Sequence, residues 1–99
     1  MQYRNYRAII RIGYDGWDVA YTEFRAQSRF DAFVKLLNKY NTYLSPEAIE
    51  EENITDFHNL IEVYKKAGNC DGGFDEILLL LEKDNILFQD DHMFIDYNL

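Results

Sequence analysis

Large apolar side chains recur at every second position on either side of Asp15-Gly16, at Ile10, Ile12 and Tyr14 and at Trp17, Val19 and Tyr21, and this stretch constrains the fold more than any other. Both residues of an Asp-Gly pair reach positive φ readily, which makes the pair a favoured two-residue hairpin turn. With Asp15-Gly16 as the loop, Tyr14 pairs with Trp17, Ile12 with Val19 and Ile10 with Tyr21. All six then share one face, and Arg7, Arg11, Asp18 and Thr22 take the other. A one-residue slip would exchange the two faces, so the apolar pattern itself selects this register. The chain is predicted to open with a β-hairpin.

Helix signals follow. Ser28, with Asp31 three residues on, reads as a short capping box, and Phe30, Phe33, Val34, Leu37 and Leu44 then recur at helical spacing. Ser45-Pro46 places an N-cap serine before a proline at the first helical position, opening a short acidic helix with Glu47, Glu50, Glu51 and Glu52. Asn53 or Thr55 is the predicted cap of a third helix. Phe57, Leu60, Ile61 and Tyr64 form its stripe, Lys65 and Lys66 suit its negative end, and Gly68 stops it.

After the loop Asn69-Cys70-Asp71-Gly72-Gly73, the segment from Phe74 to Lys83 reads as a fourth helix, apolar nearly all round because of Leu78, Leu79, Leu80 and Leu81. Ile86-Leu87-Phe88 and Met93-Phe94-Ile95 then flank a turn at Asp90-Asp91. The expected class is α+β: an N-terminal β-hairpin, three to four helices and a C-terminal β-hairpin, with the hairpins in one antiparallel sheet packed on helices. The single Pro and five Gly leave no linker, so residues 1–99 are read as one domain.

Charge is distributed unevenly. Residues 1–39 carry seven Lys or Arg against four acids, a net of +3; residues 40–99 carry Lys65, Lys66 and Lys83 against fourteen acids, a net of −11. Such a field repels nucleic acids and anionic membranes and attracts basic protein surfaces. Cys70 is the only cysteine, so no internal disulfide is possible. The first seven residues lack the apolar stretch of a signal peptide, and the longest aliphatic run, Ile77 to Leu81, is too short to span a bilayer. The expected location is cytoplasmic.

A search for chemistry finds little. His58 and His92 lie far apart and Cys70 has no second thiol, so no zinc spacing exists. A calcium loop counted from Asn69 puts Phe74 where glycine is needed, and one counted from Asp71 puts Glu76 there. GxSxG, HExxH and a phosphate-binding glycine loop are absent, and acidic neighbours would raise the pKa of Cys70 rather than activate it. Residues 55–97 can be drawn as a winged helix, but Asp90-Asp91 at the wing tip opposes a duplex. The chain is therefore expected to be no enzyme, to need no cofactor or metal and to bind no nucleic acid or membrane directly.

What remains is the acidic half. Glu47, Glu50 and Glu51 fall at i, i+3 and i+4 on one side of a helix, with axial offsets of about 4.5 and 6 Å. One DNA strand carries a charge about every 3.4 Å, so such a helix imitates a short phosphate row. Glu52, Asp56, Asp71, Asp75, Asp90 and Asp91 would extend it. The expected function is a small acidic inhibitor that blocks a basic nucleic-acid-binding protein, such as a nuclease or effector complex. Its size and charge resemble phage anti-CRISPR or anti-restriction proteins of the DNA-mimic type. An immunity protein against a nuclease toxin shares the same physics. The rival class is an interaction module or homodimer subunit anchored by Tyr3, Tyr6, Tyr14, Trp17, Tyr40 and Tyr43.

Overall fold

The computed structural model describes residues 2–13, 18–67 and 74–90. Seven elements follow in order: β1 (Arg4–Ile12), β2 (Asp18–Ala26), α1 (Arg29–Lys39), α2 (Pro46–Glu51), α3 (Phe57–Ala67), β3 (Glu76–Glu82) and β4 (Asn85–Gln89). The strands form one antiparallel sheet in the order β2-β1-β3-β4. The fold is α+β, and two hairpins distant in sequence meet through β1 and β3.

The first hairpin forms in a different register from the one its alternation predicts. Ile10 pairs with Ala20, Ile12 with Asp18 and Tyr6 with Phe24, one residue out of step. Tyr6, Ala8, Ile10, Ala20 and Thr22 therefore share the helix-facing side. Val19 and Tyr21 turn to the opposite side with Arg7 and Arg11, and are 61% and 59% exposed. Packing explains the choice. α1 lies against β2 beside Thr22 and Phe24, and the small Ala20 and Ala26 turn to the core on that same side, where valine and tyrosine would need more room. Gly13, at φ +71°, follows β1 directly in a conformation suited to glycine. The turn itself, residues 14–17, lies outside the described residues.

The segment expected as a fourth helix is instead β3. It is a central strand whose two faces are both apolar: Ile77 and Leu80 face the helices opposite Ile10 and Ala8, and Leu79 sits on the other side opposite Ile9. All three are buried. A strand buried on both sides reads as an unbroken apolar run, which periodicity cannot separate from a buried helix. A register shift between Ile9 and Ile10 lets Ile77 and Leu80, three positions apart, share one face.

The second hairpin is also displaced. Ile86, Leu87 and Phe88 belong to β4, but they pair back to β3 across a Lys83-Asp84 turn in which Lys83 has φ +54°. The Asp90 amide donates to the Leu78 carbonyl (2.9 Å) and extends the ladder; Asp91, and with it the expected Asp90-Asp91 turn, lies outside the described residues. Met93, Phe94 and Ile95 lie outside the described residues.

The core is centred on Phe33 of α1, which meets Tyr64, Phe88 and Phe57 edge-on at centroid distances of 5.1, 5.4 and 6.1 Å. α1 starts as predicted: the Ser28 hydroxyl accepts from the Asp31 amide and the Asp31 carboxylate accepts from the Gln27 amide, each at 3.1 Å. It ends at Lys39, leaving Leu44 buried in the following loop. α3 is capped by Asp56 rather than Asn53 or Thr55, its Oδ1 accepting from the Asn59 amide at 2.9 Å. Gly68 lies outside the described residues. Among the described residues, no helix is long and apolar enough to cross a membrane.

Candidate functional site

α2 is only six residues long, and local hydrogen bonds close it at both ends. Ser45 Oγ accepts from the Ala48 amide (3.3 Å), and Pro46 occupies the first turn, where its missing N–H is no loss. At the other end Ile54 N donates to Ile49 O (3.1 Å) and Asn53 N to Glu50 O (3.2 Å), with Asn53 at φ +54°. This is the Schellman pattern, with asparagine in the left-handed position and an apolar residue following it. Ile54 and Ile49 line the same groove beside the helix.

Glu47, Glu50, Glu51 and Glu52 are all exposed on this capped segment. No ion pair among the described residues includes any of them. Between Lys39 and Lys65 the sequence holds six acids and no Lys or Arg. The cations of the first hairpin and α1 are engaged elsewhere. Arg4 meets Glu82 (3.5 Å), Arg11 meets Glu76, Lys35 reaches Asp31 (3.8 Å) and the Arg25 carbonyl (2.9 Å), and Lys39 reaches Thr22 (3.4 Å).

The other predicted site residues are placed differently. Asp56 is exposed, but its carboxylate holds the amide and side chain of Asn59 at 2.9 and 2.7 Å. Asp75 clamps the backbone, accepting from Gly13 N at 2.9 Å and Asn41 N at 3.0 Å. Asp90 lies beside Glu76. Burial first, and then the Asp90 carboxyl, push the Glu76 carboxyl above its ordinary range, while Arg11 pulls it back. Arg11 donates to the same Glu76 oxygen through Nε (3.2 Å) and Nη2. Asp71 and Asp91 lie outside the described residues. The structure thus brings together Glu47, Glu50, Glu51 and Glu52, and gives Asp56, Asp75 and Asp90 internal contacts.

At 1.5 Å per residue α2 is about 9 Å long, which matches fewer than about three phosphates of one strand. The helix can imitate a short cluster of charge, not the length of a duplex.

A groove of about 670 Å³ with a mixed polar and apolar lining runs beside the carboxylates, between α1 and α2. Phe30 and Val34 of α1 with Ile49 and Ile54 form its apolar floor, and Asn38, Glu47, Glu50, Asn53 and Thr55 supply the polar part of its lining. A smaller depression of about 260 Å³ continues past Asn53 and Ile54 to Glu52, Glu62 and Val63. Sequence reasoning assigns Phe30 and Val34 to the core stripe of α1 and misses this floor. Their i, i+4 spacing fits both roles, and only the half-buried state of each separates them. Of the aromatic anchors, Tyr6 is buried, Tyr43 packs on Phe74 (4.9 Å), and exposed Tyr3 lies under Arg25 and Lys35 at 5.7 and 5.6 Å. Among the described residues, no group of three or more His, Cys, Asp or Glu could hold a metal ion.

Comparison with protein family models, curated proteins and solved structures finds no match to this chain.

Proposed function

We propose that this chain is a small non-enzymatic inhibitor that docks the carboxylates of α2 on the basic, nucleic-acid-binding surface of another protein. The observation that carries this reading is that Glu47, Glu50, Glu51 and the C-cap Glu52 stand exposed on a helix closed at both ends and join no ion pair among the described residues. Adjacent like charges on a helix destabilise it, a cost that contact with a basic surface would offset. A nuclease of a host defence system, blocked by a phage or mobile-element protein, is the setting that suits this chemistry best. A nuclease toxin held by its immunity protein offers the same kind of surface.

The test is affinity capture from the native cell with the parent chain and with Glu47→Lys/Glu50→Lys/Glu51→Lys. The expected result is a basic nuclease recovered by the parent, lost with the variant, and released at roughly 0.5 M salt, where exposed charges are screened within a few ångströms. A partner held equally by both forms at all salt concentrations would overturn the proposal. Such a result would favour the rival interaction module, for which exposed Val19 and Tyr21 on the open side of β2 are the specific support.

A further inference from the structure

We infer that the groove between α1 and α2 receives an apolar side chain from a basic segment of the partner protein, so that docking reads an apolar anchor between cations and not charge alone. This rests on the reading of α2 as a docking surface for a basic protein and names the chemistry that would fit it.

Three observations support the anchor. Two helices and the turn that closes one of them contribute an apolar cluster to the mixed lining: Phe30 and Val34 from α1, Ile49 from α2, Ile54 from the Schellman turn, with Asn38, Asn53 and Thr55 beside them. At about 670 Å³ it is an open groove with room for one large side chain. Every charged residue lining it is acidic, namely Glu47 and Glu50. The lysines of α1 do not reach it, because Lys35 and Lys39 make their contacts with Arg25 and Thr22 of β2. An anionic or purely apolar occupant would leave these two carboxylates repelled or desolvated without a partner. An occupant with Arg or Lys on either side of a leucine- or phenylalanine-sized side chain pairs both features at once.

The short reach of α2 points the same way. A helix matching fewer than about three phosphates can supply little of the affinity that long phosphate mimicry would give, so an added apolar contact has to carry part of the binding. Interface energy concentrates in such buried anchors, while surrounding charges supply steering and selectivity. The caps at both ends of α2 hold the groove formed before binding, which removes an ordering penalty.

The experiment is an NMR titration of the isotope-labelled full chain with three synthetic peptides of equal length. The first carries Leu and Phe flanked on either side by Arg and Lys. The second keeps the cations and replaces the apolar residues with Ser. The third keeps the apolar residues and replaces the cations with Glu. The first peptide should shift the methyl signals of Val34, Ile49 and Ile54 and bind at least tenfold more tightly than the second, and the third should not bind. Val34→Gln, with folding checked from its amide spectrum, should remove that tenfold advantage and leave the second peptide unaffected. Ile54→Thr serves the same purpose if Val34→Gln does not fold.

Equal binding of the first two peptides, without methyl shifts, would overturn this inference while leaving charge-driven docking standing. Binding of the third peptide as tightly as the first would overturn both. Absence of binding by any peptide would also count against the groove as an anchor site.

Discussion

If the α2 carboxylates serve a partner and not the fold, removing some of them should stabilise the protein. The informative variant is Glu50→Gln/Glu51→Gln, which keeps Glu47. Glu47 lies in the first turn, where it complements the positive end of the helix dipole. Glu50 and Glu51 stand three and four residues further on, so each forms a like-charge pair with Glu47, and both lie at the negative end of the helix. Each such pair destabilises a helix by about 0.2–0.5 kcal/mol, and an unfavourable charge at a helix end adds a few tenths more at low salt. The sum is a gain of about 0.5–1.5 kcal/mol for the variant. For a chain of this size that corresponds to a rise in Tm of roughly 2–12 °C. The assay is thermal unfolding followed by circular dichroism at roughly 20 mM and roughly 0.5 M salt, because screening should shrink the gain at the higher concentration. A variant less stable than the parent at low salt would refute the reasoning. It would show that these side chains hold the fold, and would remove the ground for assigning them to a partner.

Tyr64→Phe should lower stability by about 1–3 kcal/mol, because the Tyr64 hydroxyl is the acceptor for the buried Ile77 amide at 2.8 Å and phenylalanine leaves that amide unsatisfied. Urea denaturation should show a lower midpoint with unchanged slope, and Ile77 should exchange its amide hydrogen faster; unchanged exchange would contradict the assignment. At position 53 the left-handed backbone predicts opposite signs, with Asn53→Gly neutral or stabilising and Asn53→Val costing about 1–2 kcal/mol, and similar Tm values for the two would refute the Schellman assignment. Glu76 is raised above its ordinary range in the folded state, so the fold favours its protonated form and loses that contribution as pH climbs from the usual glutamate range through the raised value. Glu76→Gln cannot ionise, so its stability relative to the parent should increase from pH 4 towards neutrality in urea titrations. A difference that stays flat with pH would overturn this account.

Local signals in the sequence were the most legible. Ser28 and Ser45-Pro46 start helices where their side-chain chemistry says they should, because a cap is satisfied within three or four residues of itself. Asn53 misled for a related reason: asparagine suits both an N-cap and a left-handed helix end, and only the backbone angle distinguishes them. The hairpin register was not legible, because it depends on which side of β2 meets α1 and the core, a contact between elements. β3 was hidden by its own burial. Ile77, Leu79 and Leu80 fill both sides of a central strand, so no alternation survives to mark it. The short length of that run, between Gly72-Gly73 and Lys83-Asp84, was the signal that favoured a strand over a helix. The groove was invisible for a similar reason, since whether Phe30 and Val34 face core or solvent depends on where α2 docks.

The charge imbalance along the chain divides once the contacts are known. Arg11 and Glu76 are directly opposed in the β1–β3 ladder, and Arg4 reaches Glu82 near its other end. These pairs join residues 65 and 78 positions apart, across the one strand pairing that no turn specifies. A two-residue slip would keep every side chain on its own face of the sheet, so apolar patterning alone does not forbid it. It would, however, separate Arg11 from Glu76, and that pair is partly shielded from solvent. A basic first strand facing an acidic third strand is therefore a register device, and Glu76 and Glu82 belong to the fold. Asp75 and Asp56 join them through the backbone amides they hold. Overall negative charge is thus an inflated measure of what this chain presents to a partner. The argument for a basic partner rests on the four glutamates of α2 and its C-cap, which lie on the only stretch of the sequence longer than twenty residues without a lysine or arginine.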